Sequence, residues 1–401
     1  MAAAEFVDVL RQEKSQDEIV MISNEISPPY SPCVLPFFLA GEPLETVYWK
    51  GENFYHDKDV TAKLGAAVVE VDSERHCVRL ENGQTEGYDR LLFAAGAESW
   101  YPHPQWLDTA GVFGFKTLTD MLAIDQHIKE NDVRRVVVFG GGFIGVDAAL
   151  SLWHRGLEVI LVHRNTRVLS QMTDEDGGMF ATQKLQEITG IDIRLRAMVD
   201  DIKTKNRALE GVELSTGESL ATTMLIVAIG VSPNSRPLDG QDDGIQVDDT
   251  MRADPHIYAT GDVAVTAHAV TGEKGIYATY PNAMLQARTA ARHILHGEAH
   301  YPGSINTNVL KKHIEFPIIS AGSFSGEAVT WQNQHLFRRV YLVDGRINGY
   351  QLIGDTRISG YIYNLYRSQV RVDSNISSIL ADNRGDSYYR SLMGFNKPQP
   401  V

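Results

Sequence analysis

One stretch limits the fold more than any other. Residues Arg134–Arg164, RRVVVFGGGFIGVDAALSLWHRGLEVILVHR, set six residues, Gly140-Gly141-Gly142-Phe143-Ile144-Gly145, between a β-branched run and a helical pattern. Val136–Phe139 reads as a buried strand, Gly140–Gly145 as a turn, Val146–His154 as a helix and Val159–Val162 as the next strand. This is GxGxxG in the βαβ context that gives the motif meaning. Gly140 permits the tight turn, Gly142 lets backbone N–H groups approach a pyrophosphate, and Gly145 allows close helix–strand packing. The helix dipole then favours the phosphate charge. An acidic residue ending the second strand would bind the 2′-hydroxyl of NAD, whereas positive charge there accommodates a 2′-phosphate. The chain has His163 and Arg164, with Arg167 close behind and no carboxylate, a pattern that favours NADP over NAD.

Other segments alternate in the same way. Ala2–Arg11 is helical in pattern and precedes a strand-like run, Glu18–Ser23. Arg90–Phe93 ends in Ala94-Ala95-Gly96-Ala97, and Met224–Ile229 runs into Gly230 and the turn Ser232-Pro233-Asn234. Arg338–Val343 and Asn348–Ile353 flank Val343-Asp344-Gly345-Arg346 as a hairpin, and Gly360–Gln369 is helical in pattern. The tail from Asp382 is expected to be loosely ordered. A length of 401 residues predicts two to four domains.

Acidic residues outnumber basic ones, 51 against 37, for a net charge of −14. No basic cluster offers a face for nucleic acid. No apolar run reaches the ~18 residues of a membrane span, and no secretory signal opens the chain, so a cytoplasmic location is expected. The two cysteines, Cys33 and Cys77, form neither a disulfide framework nor a CxxC pair. The histidines show no metal-ligand spacing, so no metal is expected.

The glycine motif and four further stretches resemble the pyridine nucleotide-disulfide oxidoreductase superfamily of FAD-dependent flavoproteins. Within it the resemblance is to rubredoxin and ferredoxin reductases and the flavin part of NAD(P)H nitrite reductases. Tyr88–Ala97, YDRLLFAAGA, resembles the crossover from FAD domain to NAD domain. Leu225–Asn234, LIVAIGVSPN, resembles the return crossover. Thr250–Val263, TMRADPHIYATGDV, resembles the second FAD motif, in which Gly261 precedes the aspartate, here Asp262, that holds the ribityl chain. Ala278–Arg288, ATYPNAMLQAR, resembles the helix whose N-terminus, at Tyr280 and Pro281, points at the isoalloxazine. The resemblance also implies cofactor contacts at Ala95, Gly96 and Gly230. It makes Phe143 an aromatic shield over the flavin, and puts Asp147 where the family usually has a glutamate near the nicotinamide.

Two departures accompany the match. The family opens with a strand and a GxGxxG that cradles the FAD pyrophosphate, whereas Met1-Ala2-Ala3-Ala4-Glu5 resembles the middle of the helix after it. That strand and loop are expected to be missing from these residues, and a chain with these ends is expected to bind FAD weakly or not at all. Second, Pro29–Gly41, PYSPCVLPFFLAG, resembles the reductases' PYxRxxLSKxxLxG with Pro32 and Phe37 in place of arginine and lysine. It also resembles the SCxLPYxxGG of the single-cysteine branch, which puts Cys33 at the redox position. The C-terminal hairpin favours the reductase type, and Cys77 reads as structural.

The expected fold is α/β, with two Rossmann-like dinucleotide-binding domains and a small C-terminal α/β interface domain. An FAD domain is expected over residues 1–112 and 230–302, an inserted NAD(P) domain over 113–229, and the interface domain over 303–401. The expected activity is hydride transfer from NAD(P)H to FAD, then electron delivery to a small redox protein or an iron–sulfur partner subunit. Membership of an oligomer or of a larger complex, such as a 2-oxoacid dehydrogenase, is implied as well. A Cys33-dependent CoA-disulfide reductase or NADH oxidase-peroxidase is the alternative enzyme, and a non-catalytic nucleotide-binding module the alternative class. Docking of an acidic carrier is expected at Arg338, Arg339, Arg367 and Arg371.

Overall fold

The computed structural model describes residues 1–240, 242–311, 313–372 and 376–381, so the tail from Asp382 lies outside the described residues. The chain forms two compact units. The first gathers Met1–Pro102, Lys116–Gln126 and Gly230–Ile305; the second gathers His103–Phe115, His127–Ile229 and Asn306–Val401.

In the first unit, Val20–Ser23 pairs in parallel with Thr61–Leu64, and Leu91–Phe93 pairs in parallel with Ile257–Ala259. These two pairs belong to separate sheets. Val68–Asp72, Cys77–Leu80 and Thr85–Gly87 add an antiparallel meander whose Val71, Val78 and Leu80 join Phe93, Tyr258 and Val263 in one core. Helices Ala2–Gln12 and Tyr280–His296 meet along small residues, with Ala2 against Ala283 and Ala287, and Val9 and Leu10 against Ala291. Alanine brings helix axes close without a side-chain entropy cost. Beside this seam Glu5 is buried, but its charge is met by Lys50 Nζ at 2.9 Å and Arg288 Nε at 2.6 Å. Asp8 is equally buried and takes Lys50 and Lys58.

In the second unit, five parallel strands run in the order Asp192–Leu195, Glu158–His163, Arg135–Phe139, Leu225–Val227, Val112–Phe113. Val136, Val137 and Val138 are wholly buried, as a central parallel strand covered on both faces requires. The crossover helix is Phe143–His154, three residues longer at its start than the apolar pattern from Val146 indicates. Its N-cap is Gly142, in an extended conformation, so the helix begins inside the glycine motif, where periodicity carries no signal. A second, antiparallel sheet follows in the order Thr307–Leu310, Ile318–Gly322, Arg346–Ile353, Phe337–Val343, Glu327–Gln332. Helix Ser359–Ser368 has Ile362, Leu365 and Tyr366 buried, the last edge-on to Tyr350. Among the described residues no helix is long and apolar enough to cross a membrane.

The expected basic docking patch is corrected at Arg338 and Arg339, two of its four residues; Arg367 and Arg371 are exposed. Arg338 is 1% exposed, pairs with Asp355 at 3.0 Å and donates from Nη1 to the Leu380 carbonyl at 2.8 Å. Arg339 is committed to Asp174 and, at 2.9 Å, to Asp176. A strand alternates its faces, and both guanidiniums found acids within the fold rather than solvent.

Two outcomes are expected from this packing. Arg338→Ala leaves Asp355 short of its buried partner and is expected to cost about 3–5 kcal/mol in urea denaturation. The Asp355 carboxyl is held down at about 2, first by its hydrogen bond from Arg357, with the charges of Arg338 and Arg357 adding to it. A depressed carboxyl stabilises the fold above its unfolded value of ~4 and loses that contribution as pH falls through the folded value. Asp355→Asn is therefore expected to lower the melting temperature at pH 7 and to converge on the parent protein as the pH approaches 2.

Candidate functional site

The first cluster is built from the glycine loop of the second unit. Gly140 has φ +122, and an added Cβ would sit 2.1 Å from the Ala228 carbonyl oxygen. At Gly145 it would sit 1.8 Å from the Gly140 oxygen, so the helix lies directly on the turn. Gly142 faces open space and caps the helix without a side-chain acceptor, leaving first-turn amides for a ligand. These are the features of a phosphate cradle, and they fit the pyrophosphate of NAD(P)H. Phe143 and Ile144 are half-buried on the first turn, and Asp147 is buried one turn further on.

His163 ends strand Glu158–His163 and accepts the Gly141 N–H at Nδ1, 3.0 Å away. Burial pushes the imidazole down to about 4, and the charges of Arg164 and Arg167 push in the same direction. Arg164 is exposed and Arg167 half-buried.

The second cluster lies in the first unit. Gly261, with φ +81, donates its N–H to Gln286 Oε1 at 2.7 Å, and Asp262 follows it. Asp262 Oδ2 takes Lys116 Nζ at 2.8 Å, and the backbone N–H groups of Lys116 and Thr117 both donate to Asp120 Oδ2. Tyr30 donates its hydroxyl to Glu25 Oε2 at 2.7 Å and receives the Leu118 N–H at 3.1 Å. Burial raises the carboxyl of Glu25 and the phenol of Tyr30. Ribityl and ribose hydroxyls need acceptors and the FAD pyrophosphate needs positive charge. Two carboxylates and a lysine therefore fit that cofactor. Tyr30 belongs to the Pro29–Gly41 segment, whereas Lys116 and Glu25 stand in no motif; only the position of Glu25, two residues beyond the strand Val20–Ser23, hints at a role.

The crossovers hold each other. Ala97–Ser99 runs antiparallel to Val231–Pro233; the Gly96 carbonyl accepts the Asn234 N–H at 2.9 Å, and the Ala95 carbonyl accepts Asn234 Nδ2 at 3.0 Å. Gly230, with φ +149, accepts the Trp100 N–H at 3.0 Å. Helix Tyr280–His296 starts with Tyr280 and Pro281 after Thr279, again without a side-chain cap. Trp49 meets Tyr280 edge-on at 6.0 Å, and Cys33, exposed in the short turn Pro32–Val34, lies near enough to help raise the Tyr280 phenol, after burial and Glu5. Cys77 is on the meander strand Cys77–Leu80. Among the described residues no group of three or more His, Cys, Asp or Glu is placed to hold a metal ion.

The pyridine nucleotide-disulphide oxidoreductase family model matches residues 1–287. The NADH oxidase of Methanocaldococcus jannaschii is 28% identical over 382 residues, covering 87% of this chain and 85% of the relative. The CoA-dependent NAD(P)H sulfur oxidoreductase of Pyrococcus abyssi is 31% identical over 292 residues, covering 70% of this chain and 65% of that enzyme. The epsilon subunit of the NADH-dependent phenylglyoxylate dehydrogenase of Aromatoleum evansii is 26% identical over 365 residues, covering 87% of this chain and 85% of the subunit. Among solved structures, a covalent putidaredoxin reductase–putidaredoxin complex shares the fold, with TM-score 0.86 at 22% identity over 99% of this chain and 97% of that one. With its glycine cradle, its flavin-type carboxylates and this match, the chain belongs to the pyridine nucleotide-disulphide oxidoreductase family and is an FAD-dependent NAD(P)H oxidoreductase.

Proposed function

We propose that the enzyme passes electrons from NAD(P)H through FAD to an acceptor outside this chain, an iron–sulfur protein or an iron–sulfur partner subunit. One observation carries the reading. The chain has two cysteines, and only Cys33 lies at the flavin-type cluster, while Cys77 is on the meander. These residues hold no cluster of their own and no dithiol relay, so an iron–sulfur acceptor would lie on another polypeptide. The phenylglyoxylate dehydrogenase subunit and the putidaredoxin reductase complex are relatives that work with partners.

FAD, when bound, accepts a hydride from the nicotinamide and releases electrons singly; the chain supplies position and electrostatics. The amides after Gly142 hold the NAD(P)H pyrophosphate. Asp262, paired with Lys116, and Glu25 would accept hydrogen bonds from sugar hydroxyls of FAD. The paired crossovers at Ala95, Gly96 and Gly230 would present backbone to the cofactor. The uncapped N-terminus of helix Tyr280–His296 would favour negative charge placed near it. In domain terms, 1–112 and 230–302 would carry FAD with Lys116–Gln126 joining that unit, the rest of 113–229 would carry NAD(P)H, and 303–401 would offer the interface.

The exposed Cys33 thiol near Tyr280 favours one second reading, a thiol that reduces CoA disulfides; the Pyrococcus abyssi relative is a CoA-dependent NAD(P)H sulfur oxidoreductase. Cys33→Ser separates the two. NAD(P)H oxidation with a one-electron acceptor is expected to stay within about two-fold of the parent, and a loss of ~100-fold would replace the first reading with the second. Asp262→Ala is expected to weaken FAD binding about ten-fold or more, seen as loss of flavin absorbance through gel filtration. Gly145→Ala is expected to abolish NAD(P)H titration of that absorbance, because the added methyl collides with the Gly140 carbonyl.

A further inference from the structure

The turn into Asp262 has a backbone donor that its own sheet does not use. Ala259 N–H donates to the Met251 carbonyl and Thr260 N–H to the Phe93 carbonyl, both at 3.0 Å. Gly261 then turns with φ +81, and its N–H leaves the sheet. A backbone donor withdrawn from water needs an acceptor. It comes from helix Tyr280–His296: Gln286 Oε1 accepts the Gly261 N–H at 2.7 Å. Gln286 is 1% exposed, a burial that a long amide tolerates only when its hydrogen bonds are made.

The other end of the amide is used as well. Burial pushes the Tyr301 phenol up, and hydrogen bonds from Ser304 and Gln286 oppose it. With Oε1 committed to Gly261, the group that meets the Tyr301 oxygen is the Gln286 NH2. The Tyr301 hydroxyl reaches Ser304 Oγ at 2.8 Å, and Ser304 Oγ reaches Thr266 Oγ1 at 2.8 Å. Thr266 lies on the strand Ala264–Ala267 that follows Asp262, so the bonds close a ring that contains Asp262. Asn282, one turn before Gln286, anchors the same outer segment, accepting the Ile305 N–H at 3.2 Å and donating to its carbonyl at 3.1 Å. Among the described residues, no buried polar side-chain atom of Gln286, Tyr301, Ser304 or Thr266 lacks a partner. A polar network satisfied throughout makes its members rigid.

Resting on the reading of Asp262 as an acceptor for FAD sugar hydroxyls, we propose that Gln286 is the positioning residue of that carboxylate. Its Oε1 fixes the peptide between Thr260 and Gly261, and with it the direction in which Asp262 leaves the strand. Tyr301, Ser304 and Thr266 hold the amide in that orientation. Lys116 pairs with the carboxylate itself, whereas Gln286 acts through the backbone of Gly261.

The test is FAD titration of the whole purified protein after its flavin has been removed, followed by flavin fluorescence, with melting of the FAD-free protein as the check on folding. Gln286→Met keeps the length of the side chain and loses its strong acceptor, whereas Gln286→Glu keeps an oxygen for Gly261. Gln286→Met is expected to weaken FAD binding about ten-fold or more. Gln286→Glu is expected to stay within about three-fold of the parent at pH 5, where burial keeps the carboxyl neutral and able to donate to Tyr301. Relative to the parent, that recovery fades toward pH 8 as the carboxyl ionises near Asp262, a dependence that loosened packing would not produce. If Gln286→Met does not fold, the pH profile of Gln286→Glu decides alone, and a flat profile overturns the proposal. Binding by Gln286→Met within about two-fold of the parent, or by Gln286→Glu as weak as Gln286→Met at pH 5, also overturns it. In each case a weakened Asp262→Ala leaves the flavin reading standing, and an Asp262→Ala that binds FAD like the parent removes both.

Discussion

A carbonyl oxygen and a missing side chain hold the dinucleotide half of this protein together. The Gly140 oxygen lies where a Cβ of Gly145 would be, so the helix rests on the turn backbone to backbone. That contact brings the first-turn amides of Phe143–His154 to the end of the parallel strands, where their partial charge is available to a ligand. The Ala228 oxygen presses on Gly140 in the same way and ties the neighbouring strand Leu225–Val227 into the arrangement. The hydrophobic strand behind the loop supplies stability, and the glycines turn that stability into a binding surface.

The first unit solves a different problem. Its candidate cofactor groups come from segments far apart in sequence, and hydrogen bonds and an ion pair between loops assemble them. Asn234 binds both Ala95 and Gly96, so outgoing and returning crossovers act as one piece. Lys116 enters from the stretch after the first crossover to neutralise Asp262, and Tyr30 links Glu25 to the Leu118 backbone. Each tie fixes a polar group that would otherwise be free to rotate, the usual basis of a preorganised site.

Much of this was legible in the sequence. The glycine loop was plain because its spacing states a backbone geometry, whereas the Gly261-Asp262 corner was legible through its resemblance to the family's second FAD motif. The helix start at Phe143 was hidden, since apolar periodicity begins only at Val146. Lys116 and Glu25 were hidden for another reason: their meaning lies in partners distant along the chain. Arg338 and Arg339 misled for the same reason, as a charge on a strand does not disclose whether an acid waits opposite it. His163 was read as a missing carboxylate, and only the Gly141 contact shows that it still does part of that carboxylate's work.

The alanine seam between Ala2–Gln12 and Tyr280–His296 has a mechanical side. Small side chains let the helix backbones approach closely, and Glu5 ties them laterally, pairing with Arg288 across the seam and with Lys50 from the flank. Because Arg288 and Tyr280 ride on one rigid rod, the buried carboxylate indexes how far the helix tip projects into the flavin-type cluster.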